Sequence, residues 1–258
     1  MRAALLQLDG DLSGTVADRV AHAVGLVEQA APDADLVVLP ELWAHGAWDI
    51  RDWQAVAEPL DGPTVRALRE VAARTSTVVH AGSVLERAAD GELYNTSVLI
   101  GSDGAVLRHY RKIHRFGFDE GEAAVLAPGT ELVTAEHGDA VLGLATCYDL
   151  RFPEMFRLLL DSGVTVLVLV ASWPATRVEH WRTLLRARAI ENQMWVLGCN
   201  QSGTQGRVEL GGASAVVDPA GVVVAEAGSA EQVLTAMLDP AQVPLLRKAF
   251  PVLRDRRL

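Results

Sequence analysis

The 258-residue sequence contains few cysteines, more acidic than basic residues and no long apolar run. A chain of this length needs no disulfide scaffold, and its two cysteines, Cys147 and Cys199, do not complete a zinc site because the seven histidines lack metal-ligand spacing. Reduced thiols are therefore the simplest interpretation. With 23 Lys and Arg against 33 Asp and Glu, the net charge of −10 argues against nucleic acid as a partner.

Signals for export or membrane insertion are also lacking. Asp9 follows a very short apolar run at the N-terminus and no small-residue cleavage site is evident, so the sequence does not predict a secretory signal peptide. The apolar run 164–171 is far too short to span a bilayer. These features predict a cytoplasmic protein without a membrane partner.

Apolar runs typical of strands alternate with helical patterns along the whole chain. Since no linker, repeat or low-complexity tract interrupts them, we expect a single domain over residues 1–258. The alternation predicts an α/β fold with helices on the outer faces of the sheets. Tight turns at Asp90-Gly91 and Asp103-Gly104 join successive strands, so the sheets should be mixed. The predicted helices are 15–31, 63–74, 153–160, 178–192 and 244–249; the predicted strands are 3–8, 35–41, 77–86, 95–100, 105–111, 140–146, 164–171, 194–199, 213–217, 222–225 and 233–238.

Three reactive residues lie at the carboxyl ends of predicted strands: Glu41, Lys112 and Cys147. In α/β sheets, functional side chains collect at this edge. Each residue alone has an ordinary structural interpretation. Glu41 could cap a turn, Lys112 belongs to the basic cluster 108–115, and a cysteine ending a core strand is usually a small buried hydrophobe. Their conjunction favours a shared site.

The chemistry of the three groups is complementary. A cysteine attacks as thiolate, and a neighbouring carboxylate such as Glu41 can take the thiol proton as general base. The carboxylate alone would raise the pKa of Cys147, because two like charges would result, and a nearby Lys112 offsets that repulsion. The ammonium can also stabilise the oxyanion of a tetrahedral intermediate, together with the backbone N–H of Tyr148.

The motifs around these residues resemble those of the nitrilase superfamily of carbon-nitrogen hydrolases. Pro40-Glu41 is similar to the glutamate motif of that superfamily. Residues 110–114 (Tyr-Arg-Lys-Ile-His) resemble its lysine motif, and residues 147–154 (Cys-Tyr-Asp-Leu-Arg-Phe-Pro-Glu) closely resemble its cysteine motif. The order Glu, Lys, Cys and the wide spacings also match, and the similarity extends to segments 94–96 and 186–192.

This resemblance implies an α-β-β-α four-layer sandwich with mixed sheets, assembled as a homodimer or larger homo-oligomer. It implies no metal and no organic cofactor, and an amide substrate and water as the small-molecule partners. It also implies a second glutamate after the lysine motif. Glu122 matches best, although Asp119 and Glu120 lie close enough to leave the alignment ambiguous.

The cysteine motif is similar to that of the branch containing omega-amidases and deaminated-glutathione amidases, whereas true nitrilases tend to carry Cys-Trp-Glu there. Segment 171–177, followed by His180-Trp181, resembles bacterial omega-amidases that act on 2-oxoglutaramate. The resemblance therefore implies hydrolysis of a small linear amide to a carboxylic acid and ammonia through a cysteine thioester. A deaminated-glutathione amidase, a nitrilase and a carbamoyl-amide hydrolase stay open as alternatives.

Substrates of this branch carry a carboxylate, which calls for a guanidinium in the site. Arg177, directly after a predicted strand and the Trp173-Pro174 turn, is the candidate, with a surface salt bridge as the alternative. Arg151 is expected to be structural and to pair with an acid such as Glu154 or Glu191.

Two tryptophans and the second cysteine complete the candidate residues. Trp43 and Trp173 are predicted to form walls of the pocket, although aromatic residues near strand ends are as often core packing. Cys199 lies in the middle of a predicted strand, which favours a core position.

Two other classes of protein remain possible from sequence. One is a catalytically silent scaffold with the same fold, which the presence of all three reactive residues disfavours. The other is a cysteine protease, which needs a histidine base. His114 and His180 are the candidates for that base, and the Glu–Lys–Cys set argues against both.

Overall fold

The computed structural model describes residues 1–117 and 120–257, in which strands and helices alternate throughout. The strands are β1 (Arg2–Gln7), β2 (Leu36–Val38), β3 (Val78–Arg87), β4 (Leu93–Ile100), β5 (Val106–Arg111), β6 (Thr134–His137), β7 (Ala140–Thr146), β8 (Val166–Ala171), β9 (Trp195–Asn200), β10 (Thr204–Gln205), β11 (Val208–Glu209), β12 (Ala215–Val217), β13 (Val223–Glu226) and β14 (Gln232–Met237). The helices are α1 (Val16–Ala30), α2 (Trp53–Val56), α3 (Pro63–Thr75), α4 (Glu122–Val125), α5 (Pro153–Asp161), α6 (Val178–Asn192) and α7 (Gln242–Ala249).

Two six-stranded mixed sheets form the centre of the structure. The first has the strand order β14-β1-β2-β3-β4-β5, in which β1, β2 and β3 are parallel and the other neighbours pair antiparallel. The second has the order β13-β12-β9-β8-β7-β6, with β7, β8 and β9 parallel. Since β4 runs antiparallel to both β3 and β5, β5 has the same direction as β3. Its carboxyl end therefore lies at the same edge of the first sheet as those of the parallel strands.

Side-chain alternation along the strands produces four layers. In β1, Ala3 and Leu5 belong to the core between the two sheets, whereas Ala4 and Leu6 pack against α1 and α3. On the outer face of the second sheet, buried side chains of α5 and α6 such as Phe156 pack against that sheet. The predicted α-β-β-α sandwich with mixed sheets is confirmed.

Local signals explain where the helices begin and end. Thr15 caps α1 through a reciprocal capping box with Asp18, and Pro63 occupies the first turn of α3. Helix α6 ends where Gln193 adopts a left-handed conformation, with the bounds that the sequence predicts. No helix in the described ranges is long and apolar enough to cross a membrane.

Several short elements are not predicted from sequence, namely α2, α4, β6 and the β10–β11 hairpin. Each has two to four residues. Such elements are too short to show a periodic pattern of apolar residues, and tertiary contacts decide whether they form. The omission of α4 matters for function because its first residue, Glu122, lies in the candidate active site.

Candidate active site

The carboxyl ends of β2 and β5 bring Glu41 and Lys112 into direct contact. Lys112 Nζ donates to Glu41 Oε1 at 2.7 Å and to Glu122 Oε2 at 2.7 Å, so the ammonium lies between two carboxylates. All three residues are at most 5% exposed. Burial strengthens the attraction between the charges and also makes each of them costly without a partner. The three groups therefore form one mutually dependent cluster.

Asn95 on β4 completes this cluster. Its side-chain Nδ2 donates to Glu41 Oε1 and to Glu122 Oε1, both at 2.8 Å. The amide therefore bridges the same two carboxylates that the ammonium bridges. The segment around Asn95 resembles the family, but the resemblance assigns no role to this residue. An uncharged residue inside a strand has no local signal that marks it as part of a site.

Glu122 is the acid that the structure places in the cluster. Its Oε2 also accepts from the backbone N–H of Phe116 at 2.9 Å. Glu120 is exposed and lines the neighbouring cavity. The third candidate, Asp119, lies outside the described residues.

Cys147 follows β7 directly and begins a 3₁₀ turn, Cys147–Arg151. Its φ of 47° lies in the left-handed region, which residues other than glycine adopt only when the surroundings hold them there. A sharp turn at the end of a strand lifts a nucleophile out of the sheet and exposes the N–H of the next residue, Tyr148. Cys147 and Tyr148 both line the candidate cavity.

Asp149 holds this turn in place, a role that the sequence motif does not reveal. Its buried carboxylate accepts from the backbone N–H of Thr146 at 2.9 Å and from the hydroxyl of Tyr110 at 2.7 Å. It also accepts from the backbone N–H of His114 at 3.1 Å, and the His114 ring Nδ1 lies 2.8 Å away. Asp149 thus ties the turn of Cys147 to the segment that carries Lys112.

The electrostatic environment keeps Cys147 protonated in the resting state. Burial raises the pKa of its thiol well above the ordinary value, Glu41 raises it further, and Lys112 opposes the shift. For Lys112, burial opposes the charge, yet Glu122 and Glu41 outweigh it and raise the pKa of the ammonium. Burial raises the pKa of Glu122, and Lys112 opposes that shift. A thiol that stays neutral needs a base at the moment of attack.

A cavity of about 250 Å³ opens above these groups. Trp48, Phe116 and Trp173 are among the residues of its wall. Trp173 therefore lies where the sequence predicted it. The indole N–H of Trp48 donates to the carbonyl of Ser172 at 2.9 Å, which fixes that side of the wall. Trp48 was missed because it lies in a loop without a pattern of its own.

The prediction that Trp43 lines the pocket is wrong. Trp43 is 2% exposed and packs in the core between the first sheet and its helices. Its indole N–H donates to the carbonyl of Ala81 at 2.9 Å. The positive φ of Leu42 turns the chain directly after Glu41, so neighbouring side chains point in unrelated directions. Cys199, by contrast, is buried as predicted, between the two sheets.

Two guanidinium groups line the cavity. Arg177 is exposed, and its Cζ lies 5.8 Å from the Phe116 ring centroid. Arg151 stacks on Trp173, with its Cζ 4.6 Å from the ring centroid. Neither arginine forms a salt bridge with any acid of the described residues, so the predicted pairing of Arg151 with Glu154 or Glu191 is wrong. Arg188 pairs with Glu191 instead.

The two histidines considered as protease bases have other surroundings. His114 contacts Asp149 through Nδ1 and stacks on Phe152, with ring centroids 3.8 Å apart. His180 is exposed, and its Nδ1 lies 3.4 Å from the Arg151 guanidinium. The charged groups that act on the Cys147 thiol are those of the Glu–Lys cluster.

Comparison with known proteins agrees with this geometry. A family model described as carbon-nitrogen hydrolase matches residues 2–248. The 2-oxoglutaramate amidase of Paenarthrobacter nicotinovorans is 42% identical over 98% of this chain and 88% of that protein. The 2-oxoglutaramate amidase of Bacillus subtilis is 35% identical over 97% and 96%, respectively. The crystal structure of Saccharomyces cerevisiae Nit3, a member of branch 10 of the nitrilase superfamily, matches with a TM-score of 0.91 at 31% identity, covering 100% of this chain and 97% of that chain.

The chain therefore belongs to the carbon-nitrogen hydrolase family, within the nitrilase superfamily. It is an amidohydrolase that acts on C–N bonds, which confirms the class of enzyme predicted from the three motifs.

Proposed function

We propose that the enzyme cleaves the terminal amide of a short carboxylate-bearing substrate through a thioester on Cys147. The observation that carries the proposal is the buried cluster of Glu41, Lys112 and Glu122 beside a strand-end cysteine. The cavity above it carries two guanidinium groups that form no salt bridge within the described part of the chain. The names of the two amidases described above support 2-oxoglutaramate as a substrate.

In the first half-reaction, Glu41 takes the thiol proton as the sulfur of Cys147 attacks the amide carbonyl. This order follows from the raised pKa of the thiol, because little thiolate is present before substrate binds. The carbonyl oxygen becomes an oxyanion, which Lys112 and the backbone N–H of Tyr148 stabilise. Glu41 then gives its proton to the nitrogen, the C–N bond breaks, and ammonia leaves.

In the second half-reaction, Glu41 accepts a proton from water as the water oxygen attacks the thioester carbonyl. Collapse of the new oxyanion breaks the C–S bond and releases the carboxylic acid, and the sulfur of Cys147 regains the proton. Glu122 holds Lys112 in place and remains outside the proton transfers. Its contacts with the ammonium and with Asn95 support this role.

Arg177 and Arg151 are proposed to bind the substrate carboxylate. The protein has a net charge of −10, which repels anions, so a local cation is needed to attract and orient such a substrate. A guanidinium fork can pair with a carboxylate through two parallel hydrogen bonds. Neither arginine has an acidic partner among the described residues. The Arg151 guanidinium makes a long contact with His180 Nδ1 at 3.4 Å, which a substrate carboxylate can replace.

The test is ammonia release from a matched panel of amides. Succinamate and 2-oxoglutaramate carry the carboxylate, and butanamide has the chain length of succinamate without it. We expect kcat/KM for succinamate to exceed that for butanamide by at least about tenfold, or roughly 1.4 kcal/mol. Preference for butanamide would replace this proposal with a general aliphatic amidase. Faster turnover of deaminated glutathione would instead favour a deaminated-glutathione amidase. Faster turnover of the nitrile 3-cyanopropanoate would favour a nitrilase.

We further propose a cytoplasmic homodimer. Leu158 on α5 and Ile190 on α6 are 54% and 51% exposed on the outer face of the second sheet, where a second copy could cover them. Both cysteines are free thiols, as a reducing compartment would keep them. Light scattering of the wild type and of Leu158→Glu tests the assembly, and a monomeric wild type would contradict it.

A further inference from the structure

Ser172 lies directly after β8, at the edge of the second sheet where Cys147 follows β7. The parallel pairing of Thr146 with Val170 brings these two strand ends side by side, and neighbouring strands lie about 4.8 Å apart. Ser172 lines the same cavity as Glu41 and Cys147. Its backbone N–H donates to Glu41 Oε2 at 2.9 Å. Ser172 therefore adjoins both the nucleophile and the general base.

The hydroxyl of Ser172 is buried without a hydrogen-bond partner in the part of the chain that the structure describes. The residue is 1% exposed, and its Oγ makes no hydrogen bond among the described residues. Both of its backbone polar groups are already bonded, the N–H to Glu41 and the carbonyl to Trp48. Folded proteins rarely leave a buried hydroxyl unsatisfied, because it loses its hydrogen bonds to water without replacement. Such a group beside a catalytic cluster needs a functional explanation.

We propose that Ser172 Oγ accepts a hydrogen bond from the N–H of the substrate's scissile amide, and that it selects amides over other acyl donors. The inference rests on the proposed function, since it requires an amide carbon at Cys147. A primary amide has two N–H groups that lose water on entering the cavity. A hydroxyl beside Glu41 can hold one of them, so that the nitrogen faces the carboxylate that will protonate it. Ser172 itself neither gains nor loses a proton.

Two substrates that form the same acyl-enzyme distinguish a role in holding the amide nitrogen from a general contribution to catalysis. Succinamate and the S-methyl thioester of succinate both acylate Cys147 with a succinyl group, but only the amide has a nitrogen to hold. For Ser172→Ala we expect kcat/KM to fall about tenfold with succinamate, a loss of roughly 1.4 kcal/mol, and to change less than about twofold with the thioester.

Thermal unfolding supplies a second readout, with Ser202→Ala as the matched control. The Ser202 hydroxyl is also buried but donates to the Leu8 carbonyl, away from the cavity. We expect Ser202→Ala to lower Tm and leave the amide-to-thioester ratio unchanged. Ser172→Ala should keep or raise Tm, because it removes an unsatisfied polar group.

Equal losses with both substrates, or no loss with either, would overturn the proposal. The wild-type preference for succinamate over butanamide is measured separately, so failure of the proposed substrate class remains distinguishable from failure of this role.

Discussion

Replacing Lys112 by methionine removes the cation from a buried group of three charges. The ammonium now contacts Glu41 and Glu122 at 2.7 Å each, and all three side chains are almost fully buried. Methionine has a similar length but leaves two carboxylates that share only the amide of Asn95. Breaking a buried ion pair from one side costs about 3–5 kcal/mol. We expect a loss of that size in the free energy of unfolding at neutral pH.

The loss should depend on pH in a defined direction. Burial already raises the pKa of Glu122 above 4.5, and removal of the opposing ammonium should raise it further. A carboxyl whose pKa is higher in the folded state keeps its full contribution to stability below its unfolded pKa. That contribution falls as pH rises through the folded pKa. The difference between Lys112→Met and the wild type should therefore be small near pH 4.5 and widen towards neutral pH.

Urea unfolding from pH 4.5 to 8, combined with kcat/KM for succinamate, provides the assay. The sequence has one other lysine, Lys248, which is exposed on α7, so Lys248→Met is the control and should match the wild type. Activity of Lys112→Met should fall by about 10²–10⁴-fold, the range for a lost oxyanion donor or general base. The double variant Lys112→Met/Glu122→Gln should regain stability without regaining activity.

Two results would refute this reasoning. Near-normal turnover by Lys112→Met would show that catalysis does not require the ammonium of Lys112. A stability loss that is the same at every pH would show that the carboxylates do not respond to the ammonium, and that lost packing explains the effect.

Three other predictions follow from the site. Cys147→Ala should lose turnover and remain folded, and hydroxylamine added to the wild type should divert product to a hydroxamate; full activity of Cys147→Ala would contradict the thioester. Asp149→Asn should lower the free energy of unfolding by about 2–4 kcal/mol, because the amide NH₂ would face groups that now donate hydrogen bonds to the carboxylate. In the same variant, kcat should fall by a larger factor than KM changes. Arg177→Lys should lower kcat/KM for succinamate about tenfold and hardly affect butanamide, since lysine lacks the guanidinium fork; equal losses would make Arg177 structural.

The long elements could be predicted from sequence because their signals are local. The pattern of apolar residues and the flanking residues define α6 and β7 with the bounds that the structure has. Proline in the first turn of α3 and the capping box of α1 act within a few residues of each helix end. Short elements such as α4 lack such patterns and depend on contacts with distant parts of the chain.

The spatial order of the strands is less accessible to sequence. Strand β14 pairs with β1, joining Arg2 to Met237 across nearly the whole chain. No local pattern specifies a partner at that separation. The same limit applies to Asp149, whose carboxylate bonds to the nearby Thr146 and also to His114, which lies 35 residues earlier in the chain.

Sequence patterns were enough to predict the candidate reactive residues, since each lies at the carboxyl end of a predicted strand and the order Glu, Lys, Cys matches one family. Which other side chains meet them depends on tertiary contacts. The tertiary structure placed Trp48 rather than Trp43 at the cavity, brought Asn95 between the two carboxylates, and left Arg151 free of the acids expected to pair with it. Contacts of this kind depend on the packing of two sheets against each other, and that packing joins residues that are far apart in the chain.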